Sequence, residues 1–505
     1  MAGSHLLNWI IWFPLFGAFV TLLLPKKNEL LIKGWAVANT IVTFLFTLNL
    51  WQRFDTTVAG MQPSFNITVP WIESFHIFYK LGVDGISLPM IALTGLLFVI
   101  CVLSSWTVKK SIKGYFALFL MLQCTVMGVF LSLDFFLFYM FWEVMLIPMF
   151  FLIGIWGGEN REYAAVKFFL YTFFGSVLML VGMIALYYVS GTFDITQLAG
   201  GHFAAKTLEV FGTTVSFSKL FFVFMFIGFA VKVPVFPFHT WLPHAHVQAP
   251  TAISVVLAGV LLKMGTYGFL RIAFPIFPES AVYFSTAIAV LGLINAIYGA
   301  LCAMAQTDLK RLVAYSSVSH MGFLMMGMAS MTVQGMNGAV LEMFNHGTSS
   351  AMMFLMVGII YERAHHRWIV RPDGTKGFGG LYTQMPVYSI IFIISMFASL
   401  GLPGLSGFIS EALLFLGIYQ KFTTLTIIAL FGVLIGAAYL LWMFKRMFFG
   451  EVEESCKAYP DMNKREILYM LPLCGLVLYL GIWPAPVLNV MKASVGKLVS
   501  LLAMY

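Results

Sequence analysis

Charged residues are scarce in this 505-residue chain, where Asp, Glu, Lys and Arg together make up 10% of the sequence. A soluble globular domain carries roughly a quarter charged residues, so that class is excluded. Cysteine is also scarce, with five residues and no CxxC pair: Cys101, Cys124, Cys302, Cys456 and Cys474. This spacing argues against iron–sulfur clusters and structural zinc. Most basic residues lie in short segments between hydrophobic runs, so the net charge of +8 does not indicate nucleic-acid binding.

Long hydrophobic runs fill most of the chain, and 60% of its residues are hydrophobic. Windows of about 20 apolar residues recur, which is the length that an α-helix needs to cross a bilayer. The sequence therefore predicts an all-α polytopic membrane protein that is embedded in the lipid bilayer. The first run lacks a basic leader and a small-residue cleavage site, so we expect a retained helix. We predict fourteen spans at about 6–24, 31–51, 83–105, 114–133, 135–156, 164–190, 218–241, 250–270, 280–302, 309–329, 336–360, 386–418, 423–444 and 467–488.

The loops between these spans differ in charge. If the N-terminus lies outside, the odd-numbered loops hold most of the Lys and Arg residues, and the even-numbered loops and the tail hold far fewer. Positively charged loops stay on the cytoplasmic side of a membrane. We therefore expect both termini on the outer face.

The stretch 221–268 is the expected functional core. Each of its two hydrophobic helices carries one lysine, Lys232 and Lys263, and an ammonium group near the bilayer centre costs a few kcal/mol. Pro234 and Pro237 follow the first lysine and break its helix, because proline removes a backbone donor. Freed carbonyl groups are tolerated in a membrane only where protein or water covers them. The pattern predicts that this stretch lines a hydrated cavity.

A second break, at Pro403 and Gly404, lies five spans after the first. Because five is odd, the second broken span crosses the membrane in the opposite sense. Matched broken helices in two inverted halves indicate an ion site in transporter folds. We therefore predict two inverted five-helix repeats, spans 4–8 and 9–13, with spans 7 and 12 discontinuous. The expected units are N-terminal helices (1–112), first repeat (113–273), second repeat (274–447) and a C-terminal loop, helix and tail (448–505).

Ionisable residues inside the spans are the candidate site residues: Glu143, Lys232, Lys263, His320, His346, Glu411 and Glu342. Intramembrane charges are costly and usually functional, and we hypothesise that Glu143 pairs with Lys232. The set, joined by water, would then pass protons along the membrane plane, since imidazole both gives and accepts protons near neutral pH. The residues also allow a protonated Glu143 that serves packing, a Lys263 that extends to the interface, and histidines that only bond neighbouring helices.

Three histidines, His239, His244 and His246, lie close together in the sequence after the first break. Their spacing is compatible with a zinc site. Polar anchoring of this loop is the plainer interpretation, and we predict no metal. His239 is kept as a candidate site residue. No Rossmann glycine pattern, cysteine cluster or haem-like histidine pair is present, so we expect no redox cofactor in this chain.

Four long motifs resemble the antiporter-like proton-pumping subunits of respiratory complex I, which are related to the Mrp sodium/proton antiporters. They lie in spans four to thirteen: DFFLFYMFWEVMLIPMF, VKVPVFPFHTWLPHAHVQAPTAISVVLAGVLLKMGTYG, KRLVAYSSVSHMGF and SLGLPGLSGFISEALLF. The resemblance implies that Glu143 pairs with Lys232. It also implies that Lys263, His320 and His346 form a central hydrophilic axis, and that Glu411 leads to the outer face.

Within this family, the chain is similar to the M-type branch. The L-type, N-type and Mrp members usually carry lysine where this chain has Glu411. We also expect no long lateral helix after span fourteen, whereas the L-type has one. One departure is His244, where many relatives have an acidic residue, and it puts in doubt only a charge role for that loop.

The resemblance implies a proton-translocating membrane-arm subunit of NADH:quinone oxidoreductase in a bacterial inner membrane. Its implied partners are the L- and N-type neighbours, with flavin, iron–sulfur clusters and quinone in partner subunits. The alternatives are a subunit of an Mrp-type cation/proton antiporter and a passive spacer between active subunits.

Overall fold

The computed structural model describes residues 3–200, 203–210 and 212–505, and most of them are helical. The first helices are α1 Gly3–Leu23, α2 Glu29–Gln52, α3 Ser87–Ser104, α4 Ile112–Leu131, α5 Phe135–Val144, α6 Leu146–Trp156, α7 Arg161–Ser190 and α8 Ile195–Leu198. The middle helices are α9 Phe217–Lys232, α10 Trp241–Gln248, α11 Thr251–Val256, α12 Leu262–Gly268, α13 Phe274–Ile276, α14 Pro278–Tyr283 and α15 Ser285–Met304. The last helices are α16 Leu309–Ser330, α17 Val333–Ala364, α18 Leu381–Gln384, α19 Pro386–Leu400, α20 Ser406–Lys421, α21 Thr423–Phe448, α22 Lys464–Ile482 and α23 Ala485–Leu502.

Within the described residues, thirteen helices are long and apolar enough to cross a membrane. All but the last coincide with predicted spans, and the remaining two predicted spans are the broken ones. The sequence does not predict the last helix, α23, because the predicted span fourteen continues to residue 488. In the structure α22 ends at Ile482, and the residue before Pro484 is non-helical, since proline disfavours helical geometry in the residue before it.

Two antiparallel β-hairpins occupy long segments that the sequence prediction treated as loops. Strand β1 Asn66–Ile72 pairs with β2 Ile77–Gly82, and β3 Thr207–Val210 pairs with β4 Thr213–Ser216. The Lys80 ammonium in β2 lies 2.6 Å from the Asp194 carboxylate in the loop after α7. The first hairpin is thereby fixed to a loop that lies more than a hundred residues further along the chain.

Burial divides the helices into a central and a peripheral group. The apolar windows of Thr251–Ile276 and Val333–Ala364 are 100% buried, whereas that of Thr423–Phe448 is 33% buried. The exposed faces of the peripheral helices carry large apolar side chains, such as Phe19 and Leu23 of α1. Apolar side chains are the ones that lipid tolerates, and polar groups need partners inside the protein. The central helices are therefore where ionisable residues can be held.

Glycines bring the central helices α17 and α20 into close contact. A side chain at Gly338 would meet the backbone of Leu414, and one at Gly417 would meet the backbone of Gly335. Small residues at such positions let two membrane helices approach closely. The contact places Glu342 of α17 beside the first turns of α20.

Both predicted helix breaks are present. Helix α9 ends at Lys232 and α10 begins at Trp241, while α19 ends at Leu400 and α20 begins at Ser406. Pro234 and Pro237 lie in the first gap, and Pro403 and Gly404 lie in the second. The discontinuity of spans 7 and 12 is therefore confirmed, whereas the two inverted repeats and the domain boundaries stay predictions.

Protein side chains cover the polar backbone of the first break. The Trp241 indole donates to the carbonyl of Val231 at 2.9 Å, and the Asn295 side chain accepts from the backbone N–H of Phe236 at 3.0 Å. Water is therefore not needed at these two groups, although the sequence predicted a hydrated lining here.

Candidate functional site

Glu143 lies in the middle of the span formed by α5 and α6. The two helices meet at Met145 because Pro148 has no N–H to donate to the carbonyl four residues earlier. The Glu143 side chain is half-buried near the hydroxyl groups of Tyr139 and Ser176. Its Oε1 atom has no hydrogen-bond partner among the described residues.

Lys232, the last residue of α9, is 2% exposed. Its Nζ atom lies 4.7 Å from the centre of the Trp142 ring and 3.9 Å from the Met145 sulfur. An ammonium group over an indole face is attracted by the negative ring face. The break thus ends a helix where its lysine can meet an aromatic side chain of α5.

The predicted pair of Glu143 and Lys232 differs from the observed arrangement. In the described structure the two residues form no ion pair, although each acts electrostatically on the other. The Lys232 ammonium instead contacts Trp142 and Met145, which flank Glu143 in the sequence. The physical reason is that the indole face offers an attractive position that needs no fixed hydrogen-bond geometry.

Lys263 lies in the fully buried span Thr251–Ile276 and is 0% exposed. Its Nζ atom lies 2.5 Å from the Ala258 carbonyl and 2.6 Å from His346 Nδ1. If the ammonium donates both bonds, His346 Nδ1 accepts and its proton lies on Nε2. Lys263 therefore does not extend to the interface.

The helix that carries Lys263 is irregular on both sides of it. Leu257–Leu261 and Phe269–Ala273 are π-helical, and α12 lies between them. The carbonyl that Lys263 contacts, Ala258, belongs to the first π-helical segment. Short π-helical segments are often found at functional sites, and hydropathy does not reveal them.

His320, Glu342 and Glu411 form a compact cluster from three helices, α16, α17 and α20. His320 Nδ1 lies 3.7 Å from Glu342 Oε1 and 3.6 Å from Glu411 Oε1. The rings of His320 and His346 have their centres 5.3 Å apart. Contacts thus continue from Lys263 through both histidines to both carboxylates.

Glu342 has a more central place than the sequence suggested. The Ser410 hydroxyl donates to Glu342 Oε2 at 2.6 Å, and the Asn345 amide donates to Ser410 Oγ at 3.1 Å. The same amide donates to the Ser406 carbonyl at 2.7 Å, at the start of α20. Helices α17 and α20 are therefore joined by hydrogen bonds at the cluster as well as by glycine packing.

The three histidines after the first break point to different places. His239 packs against Phe236 and Tyr298, with ring centres 5.7 and 5.1 Å away, and does not join the cluster. His244 lies 3.3 Å from the Lys167 ammonium, and His246 stacks on Phe354 in α17. This arrangement leaves no common metal site for the three.

His320, Glu342 and Glu411 could hold a cation through one atom each, because these atoms lie within 4.8 Å of one another. No other group of three such side chains has this geometry in the described part of the chain. One neutral nitrogen and two carboxylates form a polar site that a proton or a small cation could occupy.

Two buried residues, Lys310 and His246, are absent from the predicted site residues. The sequence places Lys310 in a loop, yet it is 4% exposed and lies in the first turn of α16. His246 is 0% exposed. The position of His246 after WLP in an apolar stretch was a signal of burial. Lys310 gave no such signal, because it lies in a charged segment with Asp308 and Arg311.

The broken helices and the buried Lys, His and Glu side chains define a class, the antiporter-like membrane subunits. Residues 132–436, more than half of the chain, match the family described as NADH:quinone oxidoreductase/Mrp antiporter, TM. The chain therefore belongs to this family.

Its similarity is to one branch in particular. NADH-quinone oxidoreductase subunit M of Rhodobacter capsulatus is 46% identical over 98% of this chain and 96% of its own length. NADH-ubiquinone oxidoreductase chain 4 of Chondrus crispus is 41% identical over 97% of this chain and 96% of its own length. The prediction of the M-type branch, the counterpart of mitochondrial subunit 4, is confirmed.

Solved structures share the fold. A chain of respiratory complex I from Thermus thermophilus is 28% identical, with a TM-score of 0.85 over 98% of this chain and 99% of its own length. A chain of the Mrp complex from a Dietzia species has a TM-score of 0.86 over 99% and 98% of the two chains, at 19% identity. The second likeness shows the fold alone.

Proposed function

We propose that this chain translocates protons as a membrane-arm subunit of NADH:quinone oxidoreductase. The observation that carries the proposal is the continuous contact from Lys263 through His346 and His320 to Glu342 and Glu411, all of them buried side chains. A lysine, two histidines and two carboxylates can all bind and release protons. Flavin, iron–sulfur clusters and quinone would belong to partner subunits, with L- and N-type subunits as neighbours.

Transfer starts at the short contact between the Lys263 ammonium and His346 Nδ1. When the Nδ1 atom takes a proton from the ammonium, the Nε2 atom can release its own, so the imidazole ring returns to the neutral form. The ring of His320, 5.3 Å away between centres, is the next acceptor. His320 Nδ1, which has no hydrogen-bond partner among the described residues, faces both carboxylates.

Release would pass Glu411. A cavity of about 20 Å³ adjoins this residue and is lined by His320, Ser319 and Tyr439. That volume is enough for one water molecule. A water there can accept the proton that His320 or Glu411 releases, which supports an outward route at this end.

Lys232 and Glu143 would control the start of the proton-transfer path. The ammonium lies on an indole face rather than against the carboxylate, so a charge change in a neighbouring subunit could move it towards Glu143 or away. Closing or opening this pair changes the field at Lys263 and hence the proton affinity there. Electron transfer in the partner subunits would act on the proton-transfer path through this step.

The second candidate is a subunit of an Mrp-type antiporter that exchanges sodium for protons. The His320, Glu342 and Glu411 cluster has the ligand types for a cation, and the fold matches an Mrp chain. Against it, the full-length relatives at 41–46% identity are named as NADH:quinone oxidoreductase subunits. Sodium-independent pumping would separate the two functions.

The experiment is proton pumping by membrane vesicles that contain the assembled complex, with NADH as electron donor. Glu143→Ala or Lys232→Ala should abolish most pumping while the complex still assembles. Pumping near the unaltered level in either variant would refute the proposed role. Assembled complex without pumping would exclude the passive spacer.

The partner proteins give an independent check. Purification in mild detergent should yield flavin- and iron–sulfur-containing subunits together with this chain. Small hydrophobic Mrp partners instead would support the antiporter. The resemblance implies a bacterial inner membrane, and the positive-inside charge pattern predicts both termini outside it, which labelling of terminal tags in intact cells would test.

A further inference from the structure

A cavity at one end of the first helices is lined by lysines. It has a volume of about 590 Å³ and lies between the loop that joins α1 to α2 and the loop that joins α3 to α4. Lys26, Lys109 and Lys113 line it, together with one acidic residue, Glu29. Two positive charges are therefore in excess in this lining.

The three lysines have no partner for their charge. Within the described residues they form no hydrogen bond and no ion pair, and Lys26 and Lys109 are exposed while Lys113 is half-buried. Glu29 does not compensate for them, because its carboxylate lies 3.5 Å from the Lys33 ammonium. Lys113 also lies in the first turn of α4, where the positive end of a helix disfavours a cation. The cavity therefore lacks negative charge.

The cavity opens at the level where three spans begin or end. Helix α1 ends at Leu23, α2 begins at Glu29 and α4 begins at Ile112. Lipid headgroups lie at the ends of the spans, next to the hydrocarbon core. The charge pattern predicts that these two loops face the cytoplasm, and anionic lipids give the cytoplasmic leaflet its negative surface potential.

An apolar stripe leads from the cavity along α1. Leu22 lines the cavity and is 54% exposed, while Phe19 and Leu15 on the same helix are 62% and 36% exposed. Residues three and seven apart lie on one face of a helix, and seven residues cover about 10 Å. Two buried apolar side chains, Ile32 and Ile112, also line the cavity. A ligand with a negative head and an apolar tail fits both parts.

We propose that this cavity binds the headgroup of an anionic phospholipid, with an acyl chain along the stripe of Leu15, Phe19 and Leu22. The phosphate accepts hydrogen bonds from the lysine ammonium groups, each of which has three donors. Within the described residues no hydrogen bond or ion pair joins the α1–α2 loop to the α3–α4 loop. The bound lipid is thus the polar link between these loops. A free phosphate would leave the apolar stripe unused.

The test uses the whole complex in vesicles of phosphatidylethanolamine. Phosphatidylglycerol or phosphatidylethanolamine, each with a photoreactive group at the glycerol end of one acyl chain, is added at the same low fraction. Mass spectrometry then identifies the labelled peptides. One positive charge near a membrane raises the affinity for an anionic surface about fivefold. With two charges in excess, phosphatidylglycerol should label residues 22–32 and 109–114 about 25-fold more than phosphatidylethanolamine does.

Two double variants of equal charge separate the cavity from the basic surface around it. Lys26→Gln with Lys109→Gln removes both excess charges, so the preference for phosphatidylglycerol should fall about 25-fold, to near equality. Lys27→Gln with Lys110→Gln removes the same charge from the same two loops. Lys27 does not line the cavity, and the Lys110 ammonium donates to the Ile155 carbonyl at 2.9 Å. This control should keep the preference within about twofold, because salt screens exposed charges outside the site.

Four results would overturn the lipid site. The first is an equal loss of preference in both double variants, and the second is equal labelling by the two lipids in the unaltered chain. The third is loss of the label when inorganic phosphate replaces chloride at the same ionic strength, which would make a free anion the occupant. The fourth is labelling of a neighbouring subunit in place of these residues, which would mean that a protein covers the cavity. If the Lys26→Gln and Lys109→Gln variant does not assemble, Lys109→Gln alone decides by a loss of about fivefold.

Discussion

Around the first break, the Lys232 ammonium faces the Trp142 ring at 4.7 Å and the Met145 sulfur at 3.9 Å. Around the second break, Glu342 accepts a 2.6 Å hydrogen bond from Ser410, and Asn345 fixes that hydroxyl in turn. A cation over an aromatic face is held without strict geometry, whereas charge-assisted hydrogen bonds are directional and short. The two breaks thus differ in kind, with an adjustable amine at one end and a fixed acidic cluster at the other.

The difference also appears in the helix breaks. The first gap contains prolines and is held by side chains from other elements, Trp241 and Asn295. The second gap turns on Gly401 and Gly404, whose φ angles are 72° and 92°. Left-handed backbone of this kind suits glycine, and it lets the Glu411 carboxylate approach the backbone at Gly401.

The largest effect is expected at Lys263, which joins the region around the first break to the region around the second. Lys263→Met removes the ammonium between Ala258 and His346 while keeping a similar volume. Pumping should fall by about 100-fold or more, because no other amine contacts His346 within the described residues. In the same vesicles, Lys263→Arg should pump little better than Lys263→Met, because a guanidinium group does not release its proton. Pumping by Lys263→Met above half of the normal rate would contradict the role of Lys263 as the residue that joins the two regions.

A smaller loss is expected at the fixed end. Ser410→Ala removes the hydroxyl that donates to Glu342, and leaving a buried carboxylate without this bond costs about 1–3 kcal/mol. Pumping should fall by about tenfold, which corresponds to 1.4 kcal/mol. Ser410→Thr keeps the hydroxyl and serves as the matched control. Equal pumping by the alanine and threonine variants would remove the argument for a fixed cluster.

At the adjustable end, Trp142→Leu removes the ring beneath the Lys232 ammonium. A cation–π contact contributes about 1 kcal/mol, so pumping should fall by about fivefold. Trp142→Phe retains an aromatic face and should lose less. If leucine and phenylalanine behave alike, the ring positions Lys232 by volume alone, and the contrast with the second break is lost.

The two glycines of the second break offer a matched pair. Gly401→Ala and Gly404→Ala both place a side chain on left-handed backbone, but only the first would meet the Glu411 carboxylate. Gly401→Ala should pump about threefold less than Gly404→Ala, at the low end of coupling between residues in contact. Indistinguishable pumping would mean that the approach of Glu411 to this backbone has no functional consequence.

No effect on pumping is expected at the first hairpin, outside both regions. Burial alone would raise the pKa of Asp194, but hydrogen bonds from Lys80 and Thr196 outweigh it and hold the pKa below its ordinary value. A lowered pKa stabilises the fold above the unfolded value of about 3.9, and this stabilisation is lost as the pH falls through the folded value.

Asp194→Asn should therefore lower the thermal stability of the purified complex at neutral pH, with the difference shrinking below about pH 4. Asp373→Asn is the control, because the exposed Asp373 carboxylate accepts hydrogen bonds only from Thr375, two residues away, and joins no distant segment within the described residues. A stability difference for Asp194→Asn that stays constant with pH, or reduced pumping, would contradict this separation of the hairpin from both regions.

Local signals account for the predictions that the structure bears out. Apolar runs of bilayer length, prolines and glycines within them, and single charges among apolar neighbours are all visible in short windows. They were sufficient for the broken spans and for the burial of Lys263, His320, His346 and Glu411. The hairpin pairing, the π-helical segments and the amphipathic α23 depend on partners or on weak local patterns, so the same windows did not reveal them.

The sequence by itself determined that the chain spans a membrane, that two of its helices break, and which ionisable residues lie at depth. Only the tertiary structure decided which of them meet. Lys232 faces Trp142 rather than Glu143, Glu342 joins His320, and Lys310 and His246 become buried beside one cavity. The physical reason is that the insertion of a helix depends on its own residues, whereas contact between two side chains depends on how closely separate helices pack.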